Sequence, residues 1–188
     1  MMWPYRAYIV DLKELWPKCF WADHITIPLD HLNKISFDMF PGFGKKKLVI
    51  HLDAGDFRDL DKVKSEIKSN TSWIFVETPT NPLLELCDIY SVSKLCKEDN
   101  ILLAVDNTFM SPYGQNPLDL GADVVMHSAT KFIGGHSDLI AGVLITNNDD
   151  LADQLYFIQK SVGAVLSPFD LWLLLRSTKT LGLRVQCQ

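Results

Sequence analysis

The chain has little of what extracellular, membrane-spanning and nucleic-acid-binding proteins need. Its four cysteines (Cys19, Cys87, Cys96 and Cys187) form no Cys-x-x-Cys pair and show no metal-ligand spacing. Cys87 and Cys96 fall within one helical pattern and read as small buried apolar residues, which suits a reducing, cytoplasmic compartment. No segment reaches the ~18 apolar residues that span a bilayer, and the N-terminus has no apolar core of signal-peptide length. Basic residues gather only at Lys45-Lys46-Lys47, without interleaved aromatics, and the net charge is −5. Neither nucleic acid nor membrane is therefore an expected partner. His127 and His136 have no second ligand at a useful spacing, so both read as structural and no metal is expected. Repeats and low-complexity tracts are absent from the sequence. What remains is a globular composition, 47% hydrophobic and 22% charged over 188 residues, enough to bury a core.

From about Lys47 onward the pattern alternates. Leu48–Leu52, Trp73–Val76, Ile101–Val105, Asp123–His127 and Leu139–Thr146, the last interrupted by Gly142, read as short strands. Helical patterns run over Asp59–Ser69, Ile89–Lys97, about Asp149–Ser161 and about Ser167–Thr180, with Asn148 or Asp149 as a cap and Pro168 suited to a first turn. Alternation of this kind predicts an α/β fold with a mostly parallel sheet and helices on both faces. Ligands in such sheets bind at the carboxyl ends of strands. Three polar groups stand there: Glu77 to Asn81, Asp106 to Thr108, and Ser128 to Lys131. The first 45 residues differ, holding three of the five tryptophans, a breaker-rich Met39–Gly44 and no clean periodicity. Residues 1–46 are set apart on this ground from 47–188.

Those strand ends carry a chemical pattern. Lys131 closes a strand-end turn and precedes two glycines, which permit close backbone approach. A lysine there can hold an aldehyde cofactor as a Schiff base, and partial burial favours the neutral amine that attack requires. Ser128 and Thr130 can donate to a phosphate, although each is also an ordinary turn hydroxyl. Asp106 can pair with a pyridine nitrogen and keep the ring an electron sink. In Glu77-Thr78-Pro79-Thr80-Asn81-Pro82, two prolines stiffen the backbone, Asn81 can bond a phenolic oxygen and Glu77 can support the loop. Lysine, acid and hydroxyls together point to pyridoxal 5'-phosphate.

ETPTNP (Glu77–Pro82), VDNTFMSPY (Val105–Tyr113), PLDLGADVVMHSATKFIGGHSD (Pro117–Asp138) and SVGAVLSPFDLWLLLRSTKTL (Ser161–Leu181) resemble the Cys/Met-metabolism family of pyridoxal phosphate enzymes, the trans-sulfuration group. The resemblance runs from Glu77 to Arg184 and extends weakly back to about Leu48. It implies part of the large domain of the fold-type I enzymes, with Lys131 as the Schiff-base lysine and Asp106 as the ring-nitrogen partner. It further implies phosphate contacts from Ser128 and Thr130, a phenolic-oxygen contact from Asn81, and loop support from Gly135 and Asp138. The implied activity is C–S bond elimination from sulfur amino acids by a cystathionine beta- or gamma-lyase, with cystathionine gamma-synthase as the near alternative. The intact family is implied to be a homotetramer of dimers that share active sites.

Some of the family's features find no match here. A Tyr-x-Arg arm reaching the neighbouring subunit's phosphate, a Gly-Met pair at a helix start and a ring-stacking tyrosine cannot be placed, since Tyr5-Arg6 lacks the surroundings. Nor does the chain include the C-terminal domain whose arginine binds the substrate carboxylate. A fragment is therefore expected, with residues before about Lys47 arising from a disrupted reading frame, and an inactive remnant is one reading. A different class, a serine acyl hydrolase, is raised by Ser-x-x-Lys at Ser128–Lys131. It needs the serine on a helix, whereas a strand pattern ends at Ser128.

Overall fold

A computed structural model describes residues 57–188 and the backbone of residues 6–10. The expected strand Leu48–Leu52, the Met39–Gly44 and Lys45–Lys47 segments and Cys19 lie outside the described residues. Among the described residues five strands form one sheet: β1 (Arg6–Val10), β2 (Trp73–Glu77), β3 (Leu102–Asp106), β4 (Val124–Ser128) and β5 (Gly142–Thr146), in the order β1-β5-β4-β3-β2. β2, β3 and β4 are parallel, while β5 runs antiparallel to both β4 and β1. The sheet is thus mostly parallel in direction, as the alternating pattern predicts. β1 falls in the stretch without periodicity; Tyr8, Ile9 and Val10 are good strand formers, and pairing with β5 is what orders them.

Side chains alternate across the sheet, so each face acquires its own core. On one face Ile74, Val76, Leu103, Val105 and Val125 pack with Ile89, Val92 and Cys96 of α2 (Ile89–Glu98). On the other, Leu102, Ala104, Val124 and Leu144 pack with Leu151 of α4 (Asp149–Val162). Helices on both faces follow directly. A third cluster joins Ala129, Ile133, Leu139 and Val143 to Leu166, to Leu174 of α5 (Pro168–Thr178) and to Leu181 of α6 (Leu181–Gln186).

Local chemistry sets the element ends. α1 (Leu60–Glu66) starts where the Asp59 carboxylate accepts from the Asp61 and Lys62 N–H groups at 3.1 Å each. It stops short of the expected Ser69 because Ile67 is extended and Thr71 accepts the Lys68 N–H in a turn. Asp88 caps α2, so Cys87 lies just before that helix and not in it; its N–H donates to Thr78 Oγ1 at 3.0 Å. Asn148 caps α4, and Gly163, at φ 73°, ends it. α3 is the short Ser111–Gly114 turn of helix.

The expected Ser167–Thr180 helix is two helices. Ser167 caps α5 and Pro168 occupies its first turn, but Lys179 and Thr180 tighten to bonds with Arg176 and Ser177, and a new helix starts at Leu181. β5 likewise begins at Gly142, not Leu139, because the backbone of Ala141 bonds to Thr130. Among the described residues, no helix is long and apolar enough to cross a membrane.

Candidate functional site

Glu77, Asp106 and Ser128 are the last residues of the three parallel strands β2, β3 and β4. Glu77 pairs in register with Asp106, so by alternation both carboxylates leave the sheet on the same face. β5, running the other way, brings its entry residues Leu139 and Ile140 to this same edge. A cavity of about 870 Å³ opens there, and its lining includes Glu77, Asn81, Asp106, Thr108, Thr130 and Lys131. Of the sequence-predicted site residues, the fold therefore gathers Lys131, Asp106, Thr130 and Asn81. Ser128 is buried and does not line the cavity; its backbone N–H donates to Thr108 Oγ1 at 2.7 Å. Gly135 and Asp138 do line it.

Asp106 is buried, and burial raises its carboxyl above the ordinary range, an effect that hydrogen bonds from Thr108 partly offset. Those bonds come from the Thr108 side chain and from its N–H at 2.9 Å. Glu77 is raised as well, first by burial and then by the Asp106 charge, while the Asn81 N–H bond to its carboxylate lowers it. Glu77 thus has the Asn81 backbone as a partner across the turn.

Behind the strand ends lies a buried amide network. Asn107 Nδ2 donates to the carbonyls of Ser111 (3.2 Å) and Gln115 (2.8 Å). Gln115 Nε2 in turn donates to Asn107 Oδ1 (2.8 Å) and to the Thr78 carbonyl (3.3 Å). Asn107 is completely buried, so its polar atoms need these partners, and the bonds fix the Asp106 and Asn81 loops against each other. The histidines separate. His127 is buried, with Nδ1 unpartnered, and burial lowers its pKa to about 4. His136 Nδ1 lies 2.7 Å from the Gly134 carbonyl.

Lys131 departs from expectation in one respect, since it is exposed on the cavity and not partly buried. Its loop is nonetheless ordered by Lys131 N–H to Ser128 O (3.1 Å), Gly134 N–H to Ala129 O (2.7 Å) and Gly135 N–H to Lys131 O (2.7 Å). Thr130 Oγ1 accepts the Ala141 N–H at 3.0 Å and donates to the Ala141 carbonyl at 3.3 Å. Phe109 and Phe132 add an aromatic wall, edge to face at 6.2 Å. Ser128 ends a strand and Lys131 follows in a turn, so the helical serine that an acyl hydrolase of the Ser-x-x-Lys type needs is not there.

The donor set suits a pyridine aldehyde phosphate. A buried carboxylate without a cationic partner among the described residues matches a protonated ring nitrogen, and a primary amine stands in the same cavity. Sequence reasoning missed Thr108 as a hydroxyl bridging Asp106 and the Ser128 backbone. Its only signal was its place two residues beyond a strand-end acid, an Asx-turn position.

Comparison with known proteins agrees with this geometry. Residues 23–188 match the family model described as Cys/Met metabolism PLP-dependent enzyme, starting within the segment that the sequence pattern sets apart. A cystathionine gamma-synthase/O-acetylhomoserine (thiol)-lyase of Bacillus subtilis is 50% identical over 142 residues, 76% of this chain and 38% of that protein. A cystathionine beta-lyase of Lactococcus lactis is 49% identical over 165 residues, 88% of this chain and 43% of that protein. The crystal structure of cystathionine gamma-lyase from Lactobacillus plantarum, complexed with L-serine, superposes with a TM-score of 0.67 at 46% identity. That superposition covers 68% of this chain and 33% of the other. The chain spans between 33% and 43% of the length of these relatives. Its α/β sheet is part of the large domain of the fold-type I enzymes, and the chain belongs to the family of Cys/Met metabolism enzymes that depend on pyridoxal 5'-phosphate.

Proposed function

We propose that the cavity holds pyridoxal 5'-phosphate and serves C–S bond elimination from a sulfur amino acid, as a cystathionine beta- or gamma-lyase. The observation that carries this reading is the convergence of Lys131, Asp106 and Asn81 on one cavity at the ends of parallel strands. When bound, the cofactor supplies an electron sink for the pair released at the substrate's α-carbon. Asp106 holds the proton on the ring nitrogen; its desolvated carboxylate gains most from a cation beside it. Lys131 would hold the cofactor through its aldehyde, and its amine, on the same cavity, would carry the proton at the substrate carbons. The Asn81 side chain orients the phenolic oxygen on a loop held by Glu77. Thr130, on the cavity lining, would hold the phosphate through its hydroxyl, whose bond to the Ala141 carbonyl is long at 3.3 Å. Ser128 reaches the site through its N–H bond to Thr108.

The described cysteines are free, which fits a reducing cytoplasmic setting, and burial pushes the Cys87 and Cys96 thiols up to about 12, so neither is a reactive thiolate. The exposed Phe169, Trp172 and Leu175 on α5 support assembly with further subunits, as in the family's tetramers.

The test adds pyridoxal phosphate to the purified chain, reduces with borohydride and maps the modified peptide, with Lys131→Ala as control. An adduct at Lys131 is expected; labelling spread evenly over surface lysines sinks the cofactor reading. Thiol or keto-acid release from cystathionine then separates a turning-over lyase from a cofactor-binding remnant. Turnover only with an activated homoserine and cysteine assigns gamma-synthase instead.

A further inference from the structure

The loop after Lys131 has a holder outside the motifs that identify the site. The carbonyls of Phe132 and Ile133 receive no backbone N–H among the described residues. Both are taken by one side chain: Arg184 Nη1 donates to Phe132 O, and Nη2 to Ile133 O at 3.2 Å. Nη2 also donates to Ser177 O in the last turn of α5 at 2.9 Å, and Nε to Thr180 Oγ1 at 3.1 Å. No carboxylate pairs with this guanidinium among the described residues; its partners are oxygens of neutral groups. The Ser177 carbonyl is at the negative end of α5, where a cation is favoured. α6 itself is fixed by Leu181 and Val185 in the apolar cluster that also contains Ala129 and Ile133.

Gly135 adds an independent observation. It sits at φ +70°, and a Cβ there would meet Arg184 Nη1 at 1.9 Å. With the guanidinium where it stands there is no room for a Cβ at residue 135, so a side chain there would displace Arg184. His136 makes a second tie, with Nδ1 3.3 Å from Ser177 Oγ.

We propose that Arg184 is a positioning residue for Lys131, stapling the lysine loop to the end of α5 through carbonyl oxygens on both. This rests on the reading of Lys131 as the cofactor-binding lysine. A fork of fixed donors can engage both elements at once, whereas an ammonium, a point donor, can hold only part of the set. Arg184→Lys should therefore restore the function of Arg184→Gln only in part.

Two readouts on the full chain test this. In the cofactor-free protein, hydrogen exchange at the Gly134 and Gly135 amides should accelerate in Arg184→Gln, while the Leu103 amide in the sheet stays protected. With pyridoxal phosphate and borohydride, the Lys131 share of the label should fall by about tenfold or more, as for a misplaced reactive group, with Arg184→Lys between the two. Unchanged exchange at both glycines overturns the staple, whether or not any adduct forms. Wild type that exchanges as expected but gives no Lys131 adduct overturns the cofactor reading and leaves the staple standing. If Arg184→Gln does not fold, Arg184→Lys carries the test, and labelling equal to wild type overturns the proposal.

Discussion

Glu77 and Asp106 are register partners on adjacent parallel strands, so two carboxylates stand side by side on one face of the sheet. Each is raised by burial, and Glu77 further by the charge of Asp106. The folded chain thus binds these protons more tightly than the unfolded chain does. Below the ordinary carboxyl value of about 4 they contribute nothing to pH dependence; as pH rises through the folded values, stability is lost. Asp106→Asn keeps an oxygen for the Thr108 N–H but removes the buried charge. Urea unfolding should find the cofactor-free variant more stable than its parent, with a difference that grows from about pH 4 upward. The same variant should bind pyridoxal phosphate roughly tenfold to a hundredfold more weakly, the loss of a charge-assisted hydrogen bond. Equal stability across that range would contradict the desolvated carboxylate.

His127 sets the acid limb. Its folded pKa is lowered from 6.5 to about 4 by burial. Above 6.5 both states are neutral and the residue adds no pH dependence; as pH falls from there toward about 4, only the unfolded chain takes the proton. Stability should drop over that window by on the order of 3 kcal/mol. His127→Phe fills the space with a ring that cannot titrate. The variant-minus-parent difference in unfolding free energy, followed with pH, should show the acid loss disappear. A parallel acid loss in the variant would place the proton elsewhere.

Periodicity made the parallel strands legible, because Ile74, Val76, Leu103 and Val105 must be apolar wherever helices cover a sheet. Lys131, Asp106 and Asn81 were legible because strand-end residues converge in such folds. β1 was not legible, since an edge strand takes its order from a partner distant in sequence, here β5. The break between α5 and α6 was hidden for a similar reason. The Ser177 carbonyl that would continue the ladder is taken by Thr180 N–H and by Arg184, and the arginine's main partners lie some fifty residues away. Ser128 reads as a phosphate hydroxyl from its residue type and from the family resemblance; its burial depends on the packing of the β4 end, which neither encodes.

Leu174 is almost completely buried in the cluster that supports Ala129, Ile133 and Leu139 around the lysine loop. Leu174→Ala should cost about 2–5 kcal/mol, the transfer loss of the side chain plus the cavity left behind. The loop shares that cluster, so the substitution should also raise hydrogen exchange at the Gly134 amide, measured under conditions where the chain remains folded. Leu175→Ala, on the exposed side of the same helix, should change stability by less than about 0.5 kcal/mol in the isolated chain. A Leu174 variant as stable as the Leu175 variant would contradict the packing.

Thr108 Oγ1 joins two strands that the chain places twenty residues apart, accepting the Ser128 N–H at 2.7 Å while its hydroxyl bonds the Asp106 carboxylate. Thr108→Val keeps the shape and removes both bonds. The buried Ser128 N–H then loses its acceptor, at about 1–3 kcal/mol. Asp106 simultaneously loses a donor that lowers its pKa, so its carboxyl should move further up. Pyridoxal phosphate binding should consequently weaken and shift its pH dependence upward. Thr108→Ser retains the hydroxyl and should restore the pH profile even where the missing methyl lowers stability. Titrating cofactor binding against pH in the three proteins separates the two effects. If Thr108→Val weakens stability but leaves the pH profile of binding where it was, the hydroxyl supports the strands alone and takes no part in tuning Asp106.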